Sequence, residues 1–415
     1  MPDTPLPEQQ VRFVARLGAA MGAANYPVTL VRQMLERASS NYEARNDFIA
    51  LPNHVQVVGH AGGSGSFVKA AHLDRDLRFD QMFPLAPLIA DAMAGRVSPA
   101  RGEARLDAVL DKKPPRRAWV SVLGYAIQSV GFALLLEPTP LNVLVAGGLG
   151  VVVGLFWTTG QRVPGLAPLV PVLSAFVVTA VCIIGARELG MDHVGLRALI
   201  PPLAMFLPGA AITLAVIELT ARDVISGSSR LIAGFVQIAQ LAFGILIASQ
   251  MLQTDDTQLT SDAINKIGPW APWLGVAVYS AGVMLFLAPP RSFLPWLLLI
   301  TYLGYSAQYL GDLLLGSYVS GFCGGVVLTF AALAMTRLRG SPPAITMILP
   351  GFWLLVPGSM GLIGITELFG ADGDSALPAT LISMVSVSLG MQAGLVLWQL
   401  IRQRARRGRL QEPRG

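Results

Sequence analysis

A Pro-Gly pair with Glu-Leu ten residues after its proline occurs twice in apolar parts of this sequence. The copies are Pro208-Gly209 with Glu218-Leu219, and Pro357-Gly358 with Glu367-Leu368, at an offset of 149 residues. A proline inside a helix removes a backbone hydrogen bond and breaks the helix, so peptide groups there are free to bind a polar solute. A carboxylic acid in apolar surroundings can relay protons. The repeat therefore indicates a solute site and proton transfer within a membrane.

The breaks themselves are the predicted binding site, and hydroxyl side chains follow both of them closely. The predicted substrate-binding residues are Pro208, Gly209, Thr213, Pro357, Gly358 and Ser359. The candidates for proton coupling are Glu218, Glu367 and Asp223. Ten residues of helix span roughly 15 Å, so charges at the membrane boundaries are an alternative interpretation of the two glutamates. Simple helix kinks are the alternative for the prolines.

The elements that carry these residues are expected to be transmembrane helices. Hydrophobic residues make up 53% of the 415 residues and charged residues only 13%, whereas a soluble domain carries about 25% charged residues. Ten stretches are long and apolar enough to cross about 30 Å of hydrocarbon. They are residues 118–136, 141–158, 166–186, 198–219, 225–250, 270–288, 293–311, 315–336, 344–367 and 377–401.

Charge divides the chain into a soluble part and a membrane part. Residues 1–117 hold 15 Lys/Arg and 12 Asp/Glu, whereas the much longer segment 118–401 holds only 9 Lys/Arg and 12 Asp/Glu. Helical patterns in the first part, with a strand pair within 47–72, predict a small α/β domain. The predicted domains are a soluble domain with its linker at 1–117, a five-helix half at 118–250, an extracytoplasmic loop at 251–269, a second five-helix half at 270–401 and a basic tail at 402–415.

Basic residues beside the spans predict the orientation. With residue 117 in the cytoplasm, 15 flanking Lys/Arg fall inside and 3 outside, which is the usual bias of membrane proteins. Both termini are therefore expected in the cytoplasm of a multi-pass protein of the bacterial inner membrane. A duplicated unit of five spans must insert its second copy upside down. The predicted fold is an all-α polytopic membrane protein of ten helices in a 5+5 inverted repeat, preceded by a small α/β cytoplasmic domain.

Several other classes of protein are disfavoured. The net charge of +5 comes from basic clusters that flank the spans, which indicates a membrane surface and not nucleic acid. Cys182 and Cys323 lie in apolar spans and predict no disulfide framework. The N-terminus lacks a signal-peptide pattern, and a nucleotide-binding signature is also missing. The expected partners are a small-molecule substrate, the lipid bilayer and, in a homo-oligomer, further copies; no cofactor and no metal are expected.

Several of these segments resemble the threonine/serine exporter family. They are GAANYPVTLVRQMLERAS at 22–39, PLAMFLPGAAITLAVIEL at 202–219 with the following Arg222-Asp223 and Ser226-Gly227, and ILPGFWLLVPGSMGL at 348–362. The resemblance covers nearly the whole chain. It implies export of small amino acids such as threonine and serine, driven by the proton gradient.

The resemblance leaves other functions open. In related systems the two halves look like separate subunits implicated in dicarboxylate export, so succinate-like substrates are an alternative. The family's soluble domain has been compared with hydrolases, and a membrane-anchored hydrolase using His54, His60 and His72 is a second alternative. A channel or a scaffold that transports nothing is a third. The hypothesis that the sequence favours is a secondary transporter and not an enzyme.

Overall fold

The computed structural model describes most of the chain. The described residues are 7–41, 45–52, 54–61, 65–73, 75–136, 139–190, 194–253, 259–260, 266–355 and 373–411. The chain divides into two compact units. The first comprises Met1–Pro115 together with Leu214–Arg230, and the second comprises Arg116–Thr213 together with Leu231–Gly415.

Residues 7–110 of the first unit form four helices and a three-stranded sheet. The elements are α1 (Pro7–Ala23), α2 (Val28–Ser40), β1 (Arg45–Leu51), β2 (His54–Ala61), β3 (Gly65–His72), α3 (Phe79–Met93) and α4 (Pro99–Leu110). The strands are antiparallel in the order β1-β2-β3. A Cβ added to Gly18 of α1 would lie 2.7 Å from Leu35 and 3.0 Å from Val55. The bare glycine therefore lets α1 pack closely against both α2 and the sheet.

The predicted strand pair is the β2–β3 part of this larger sheet. Strand β1 has no counterpart in the sequence prediction, because it opens on Arg45, Asn46 and Asp47, which are residue types that are not enriched in strands. Its pairing with β2 joins Phe48 to Val57 and Ala50 to Val55. Cross-strand packing therefore outweighs the weak local signal.

The rest of the described chain is almost entirely helical. Its helices are α5 (Ala118–Leu136), α6 (Pro140–Arg162), α7 (Val170–Glu188), α8 (Leu196–Leu203), α9 (Gly209–Thr220), α10 (Val224–Met251), α11 (Ala271–Phe286), α12 (Leu294–Leu315), α13 (Ser317–Met335), α14 (Ala344–Leu354) and α15 (Gly373–Gln411). Two residues of β4 (Val194–Gly195) pair in parallel with β5 (Leu259–Thr260).

Among the described residues, four helices are long and apolar enough to cross a membrane. They are Ala118–Leu136, Pro140–Arg162, Gly165–Glu188 and Val224–Met251. A bent pair of helices, Leu199–Phe206 and Gly209–Thr220, forms a fifth candidate span. Three shorter apolar helices follow in the second half of the chain. The chain is therefore a multi-pass membrane protein.

Helices α5 and α11 cross in close, antiparallel contact. A Cβ added to Gly131 of α5 would lie 2.4 Å from the backbone nitrogen of Tyr279, and one added to Gly282 of α11 would lie 2.4 Å from that of Gln128. Near the other end of α5, a Cβ on Gly124 would lie 2.3 Å from the nitrogen of Phe286. Small residues let membrane helices approach backbone to backbone, so these glycines determine the spacing of the pair.

Candidate functional site

The first Pro-Gly pair lies at a sharp break between α8 and α9. Helix α8 ends at Leu203, a 3-10 turn follows over Ala204–Phe206, and α9 begins at Gly209. The axes on the two sides of the break differ by 50°. Proline inside α8 and at position 208 explains the interruption, because proline lacks the N–H that a continuous helix needs. The first peptide N–H groups of α9 consequently have no partner within their own helix.

Two hydroxyl groups meet one turn after this break. Thr213 of α9 is 3% exposed and Ser388 of α15 is 0% exposed, and the Ser388 Oγ donates to the Thr213 Oγ1 at 3.3 Å. Pro208 and Gly209 are buried as well. The predicted residues of the first half thus lie together, and Ser388, which the sequence analysis did not select, joins them. Hydroxyl pairs of this kind can exchange their mutual bond for bonds to a polar solute.

Aromatic and polar side chains of α5 and α6 surround the same break. The Tyr125 hydroxyl donates to the carbonyl oxygen of Pro202 at 2.9 Å. The Gln128 Nε2 contacts the Met205 sulfur at 2.8 Å, and the Trp157 ring packs against Phe206 with 5.4 Å between centroids. The break is therefore held in a specific packed environment, which is where an interrupted membrane helix is tolerated.

Helix α14 brings a second proline, Pro350, into a similar environment. The Tyr279 hydroxyl of α11 donates to the carbonyl oxygen of Pro350 at 2.8 Å. The helix ends at Leu354, and the Gln308 Nε2 of α12 donates to the carbonyl oxygen of Leu355 at 3.3 Å. The predicted site residues of this half, Pro357, Gly358, Ser359 and Glu367, all lie outside the described residues.

Glu218 is a fully buried carboxylate that caps a distant helix. Its side chain is 0% exposed, and its Oε1 accepts a hydrogen bond of 3.1 Å from the backbone N–H of Val28. Val28 is the first residue of α2, and Pro27 before it supplies no capping side chain. Free N–H groups and the helix dipole make a helix N-terminus a favourable place for a negative charge. Glu218 therefore supplies the cap that α2 lacks.

Arg230 completes the charge balance around Glu218. The Arg230 Nε lies 3.2 Å from each Glu218 carboxylate oxygen, and the arginine side chain is only 11% exposed. A buried charge is tolerated when an opposite charge and hydrogen bonds compensate the lost hydration. The three groups, in Glu218, Arg230 and Val28, thus form one buried electrostatic cluster within the first unit.

The third coupling candidate, Asp223, lies just after a tight turn between α9 and α10. The N–H of Asp223 donates to the Glu218 carbonyl at 2.8 Å, and that of Arg222 donates to Leu219 at 3.0 Å, with Arg222 at a positive φ of 65°. These two bonds close the end of α9 as a Schellman motif. The Asp223 carboxylate then pairs with Arg32 of α2 at 3.3 Å. Asp223 is therefore a second link to the same helix.

The histidines of the sheet do not come together. His54 pairs with His72 across β2 and β3, but His60 lies six residues further along β2, opposite Ser66. At about 3.3 Å per residue the separation along the strand is roughly 20 Å. In the part of the chain that the structure describes, no group of three or more His, Cys, Asp and Glu residues could hold a metal.

The two tyrosines that bind α8 and α14 were not among the predicted site residues. Tyr125 and Tyr279 each stand seven residues before a phenylalanine, in YAIQSVGF at 125–132 and in YSAGVMLF at 279–286. This matching spacing in the first and sixth predicted spans was the available signal. Nothing in the local sequence of Gln308 links it to the end of α14.

Comparison with known proteins gives a family and several distant relatives. A family model described as "Putative threonine/serine exporter" (ThrE) matches residues 12–252. The Pheromone-regulated membrane protein 10 of Kluyveromyces lactis is 23% identical over 411 residues, which covers 93% of this chain and 43% of the relative. The protein of the same name from Eremothecium gossypii is 22% identical over 376 residues, with coverages of 85% and 48%.

The chain thus spans about half the length of the curated relatives it matches. No solved structure matches it significantly. The family model covers more than half of the 415 residues, including helices α2 to α4, the break at Pro208 and Glu218. The chain therefore belongs to the threonine/serine exporter family.

Proposed function

We propose that this protein is a secondary transporter that exports small polar amino acids such as threonine and serine, with the broken helices as its substrate site. The observation that carries this proposal is the 50° break at Pro208, with the buried hydroxyls of Thr213 and Ser388 one turn beyond it. Interrupted helices inside a membrane protein are typical of transport sites. The exporter family supports the same class of function.

The substrate class follows from the groups around the break. The first N–H groups of α9, next to Gly209, favour a carboxylate. The hydroxyls of Thr213 and Ser388 can donate to or accept from an ammonium or hydroxyl group. A small amino acid with a side-chain hydroxyl offers all of these groups. A dicarboxylate offers only carboxylates, so we propose succinate-like substrates as the second candidate.

The proposed architecture is ten transmembrane helices in a 5+5 inverted repeat. Reciprocal contacts support it. Tyr125 binds the carbonyl of Pro202 and Tyr279 binds that of Pro350, so that equivalent helices of each half make equivalent bonds. The antiparallel crossing of α5 and α11 is what an axis within the membrane plane would produce. We further propose that both termini are cytoplasmic, on the charge bias of the loops.

The candidates for proton coupling are carboxylates. Glu218 and Asp223 each have an arginine partner and a contact with α2. This arrangement favours a role in holding α2 and the α9–α10 turn together. We therefore propose that Glu218 and Asp223 mainly stabilise the structure. All three carboxylates remain candidates for proton coupling, with Glu367 as the first. The hydrolase alternative has less support, since His60 lies far along β2 from His54 and His72.

Replacing Pro208 by alanine tests the site. Alanine restores the missing N–H and favours a straighter helix, so efflux of labelled threonine from proteoliposomes is expected to fall about ten-fold or more through misplacement of the binding groups. Pro171→Ala is the matched control, because Pro171 lies in the first turn of α7, where proline is tolerated. Efflux by the control should equal that of the wild type. Equal efflux by both variants would place the site elsewhere.

A further inference from the structure

Two buried tyrosines contact the two proline-containing helices in the same way. Tyr125 is 1% exposed and donates to the carbonyl oxygen of Pro202, while Tyr279 is 0% exposed and donates to that of Pro350. Their bond lengths are 2.9 Å and 2.8 Å. Each acceptor lies shortly before its helix ends, one residue before the end of α8 and four before the end of α14. The tyrosines thus hold each helix close to its C-terminal end.

The same tyrosines pack against each other's helices. The Tyr125 ring of α5 meets Phe286 of α11 edge-on, with 5.1 Å between centroids, and the Tyr279 ring of α11 meets Phe132 of α5 at 4.9 Å. Aromatic pairs prefer this edge-to-face geometry and contribute about 0.5–1.5 kcal/mol beyond the area that they bury. Each ring is therefore fixed by the opposite helix, while its hydroxyl fixes a proline carbonyl.

We propose that Tyr125 and Tyr279 are paired positioning residues, which hold the proline-containing helices α8 and α14 in register through the crossed helices α5 and α11. A buried tyrosine hydroxyl needs a hydrogen-bond acceptor. Each of these two hydroxyls has one near the end of a helix that would have to move during transport. Movement of α8 would withdraw the acceptor from Tyr125, whose ring rests on α11. A change at the end of α8 is thereby transmitted to α14 through the two tyrosines.

The tight helix crossing makes this link stiff. The glycine contacts at Gly131 and Gly282 leave α5 and α11 no room to slide independently. The two rings on this pair consequently act as parts of one body. Packed interfaces of this kind have discrete arrangements and do not deform continuously, which is what coupled movement of α8 and α14 requires.

Tyrosine-to-phenylalanine substitutions test the proposal with a built-in control. Tyr125→Phe and Tyr279→Phe remove one hydroxyl each and keep the ring. Tyr302→Phe is the matched control, because the Tyr302 hydroxyl also donates to a backbone carbonyl, that of Trp273 at 2.9 Å, and this bond involves neither α8 nor α14. All three are measured in the full chain, in nanodiscs for hydrogen exchange and in proteoliposomes for threonine transport.

The hydrogen-exchange readout does not depend on any substrate. Tyr125→Phe is expected to speed amide exchange in peptides covering 199–209 by up to about ten-fold, the equivalent of one hydrogen bond, and to speed exchange in 344–354 as well. Tyr279→Phe should affect the same two segments, and Tyr302→Phe neither. If each variant changes only its own segment, or if all three behave alike, the proposed link is wrong.

The transport readout rests on the proposed function. We expect Tyr125→Phe and Tyr279→Phe to lower the maximal rate about ten-fold with little change in KM, and their combination to cost less than the product of the two. A wild type that moves no threonine would overturn the proposed function and leave the exchange result to decide the link. If Tyr125→Phe does not fold, Phe286→Leu keeps the hydroxyl and removes the ring contact; unchanged exchange at 199–209 in that variant would contradict the proposal.

Discussion

Replacing Glu218 by alanine is expected to destabilise the protein by about 3–5 kcal/mol, the usual cost of removing one partner from a buried ion pair. The side chain is 0% exposed and the Arg230 side chain 11%, so the guanidinium left behind would lose the carboxylate to which it is hydrogen-bonded. The N-terminus of α2 would also lose its cap at Val28. Denaturant titration of the purified full chain, followed by its helical signal, measures the change.

Two further variants distinguish the effect of the buried Glu218–Arg230 pair from that of an exposed ion pair. Asp223→Ala breaks the pair with Arg32, whose side chain is 41% exposed, and such exposed pairs contribute only about 0–1 kcal/mol. The double variant Glu218→Met/Arg230→Met removes both buried charges and should recover most of the loss. An effect of Glu218→Ala no larger than that of Asp223→Ala would show that the cluster is not a buried electrostatic unit.

Adding one methyl group at Gly131 is expected to have the second large effect. The new Cβ would lie 2.4 Å from the nitrogen and 2.6 Å from the Cα of Tyr279. These are backbone atoms, so no side-chain movement relieves the clash and the two helices must separate. We expect Gly131→Ala to cost about 3 kcal/mol or more, beyond the usual range for overpacking, and to lower both the yield of monodisperse protein and its melting temperature.

Gly148→Ala serves as the matched control for this helix crossing. Gly148 lies within α6, and a Cβ added there meets nothing within 4 Å. Alanine also has the higher helix propensity, by about 1 kcal/mol. The control should therefore be as stable as the wild type or slightly more stable. A Gly131→Ala protein with the melting temperature of the wild type would mean that α5 and α11 are not in backbone contact.

The sequence predicts individual elements well where the signal is local. The span predicted at 118–136 coincides with α5, because hydropathy depends only on neighbouring residues. The break at Pro208 follows equally directly, since proline interrupts a helix whatever surrounds it. Helices α1 and α2 likewise lie on either side of Pro27.

Contacts between distant residues could not be predicted in the same way. Val28 and Glu218 are 190 residues apart, and the donor is a backbone N–H that every residue type carries. In the sequence, Tyr125 cannot be distinguished from an ordinary packing residue of an apolar span. Only its hydrogen bond to the carbonyl oxygen of Pro202 gives it a role. Hydropathy shows that burying the Glu218 carboxylate is costly, but it cannot identify Arg230 as the residue that compensates the buried charge. Such partners depend on tertiary packing.

Counterflow in proteoliposomes tests the central claim most directly, because exchange across a loaded membrane requires a working transport site. Vesicles loaded with unlabelled threonine, serine or succinate are mixed with the labelled compound, with and without a pH gradient. We predict saturable exchange of threonine and serine, acceleration of net efflux by an inward proton gradient, and loss of exchange in Pro208→Ala. Exchange of none of the three solutes, with no response to the gradient, would contradict the account.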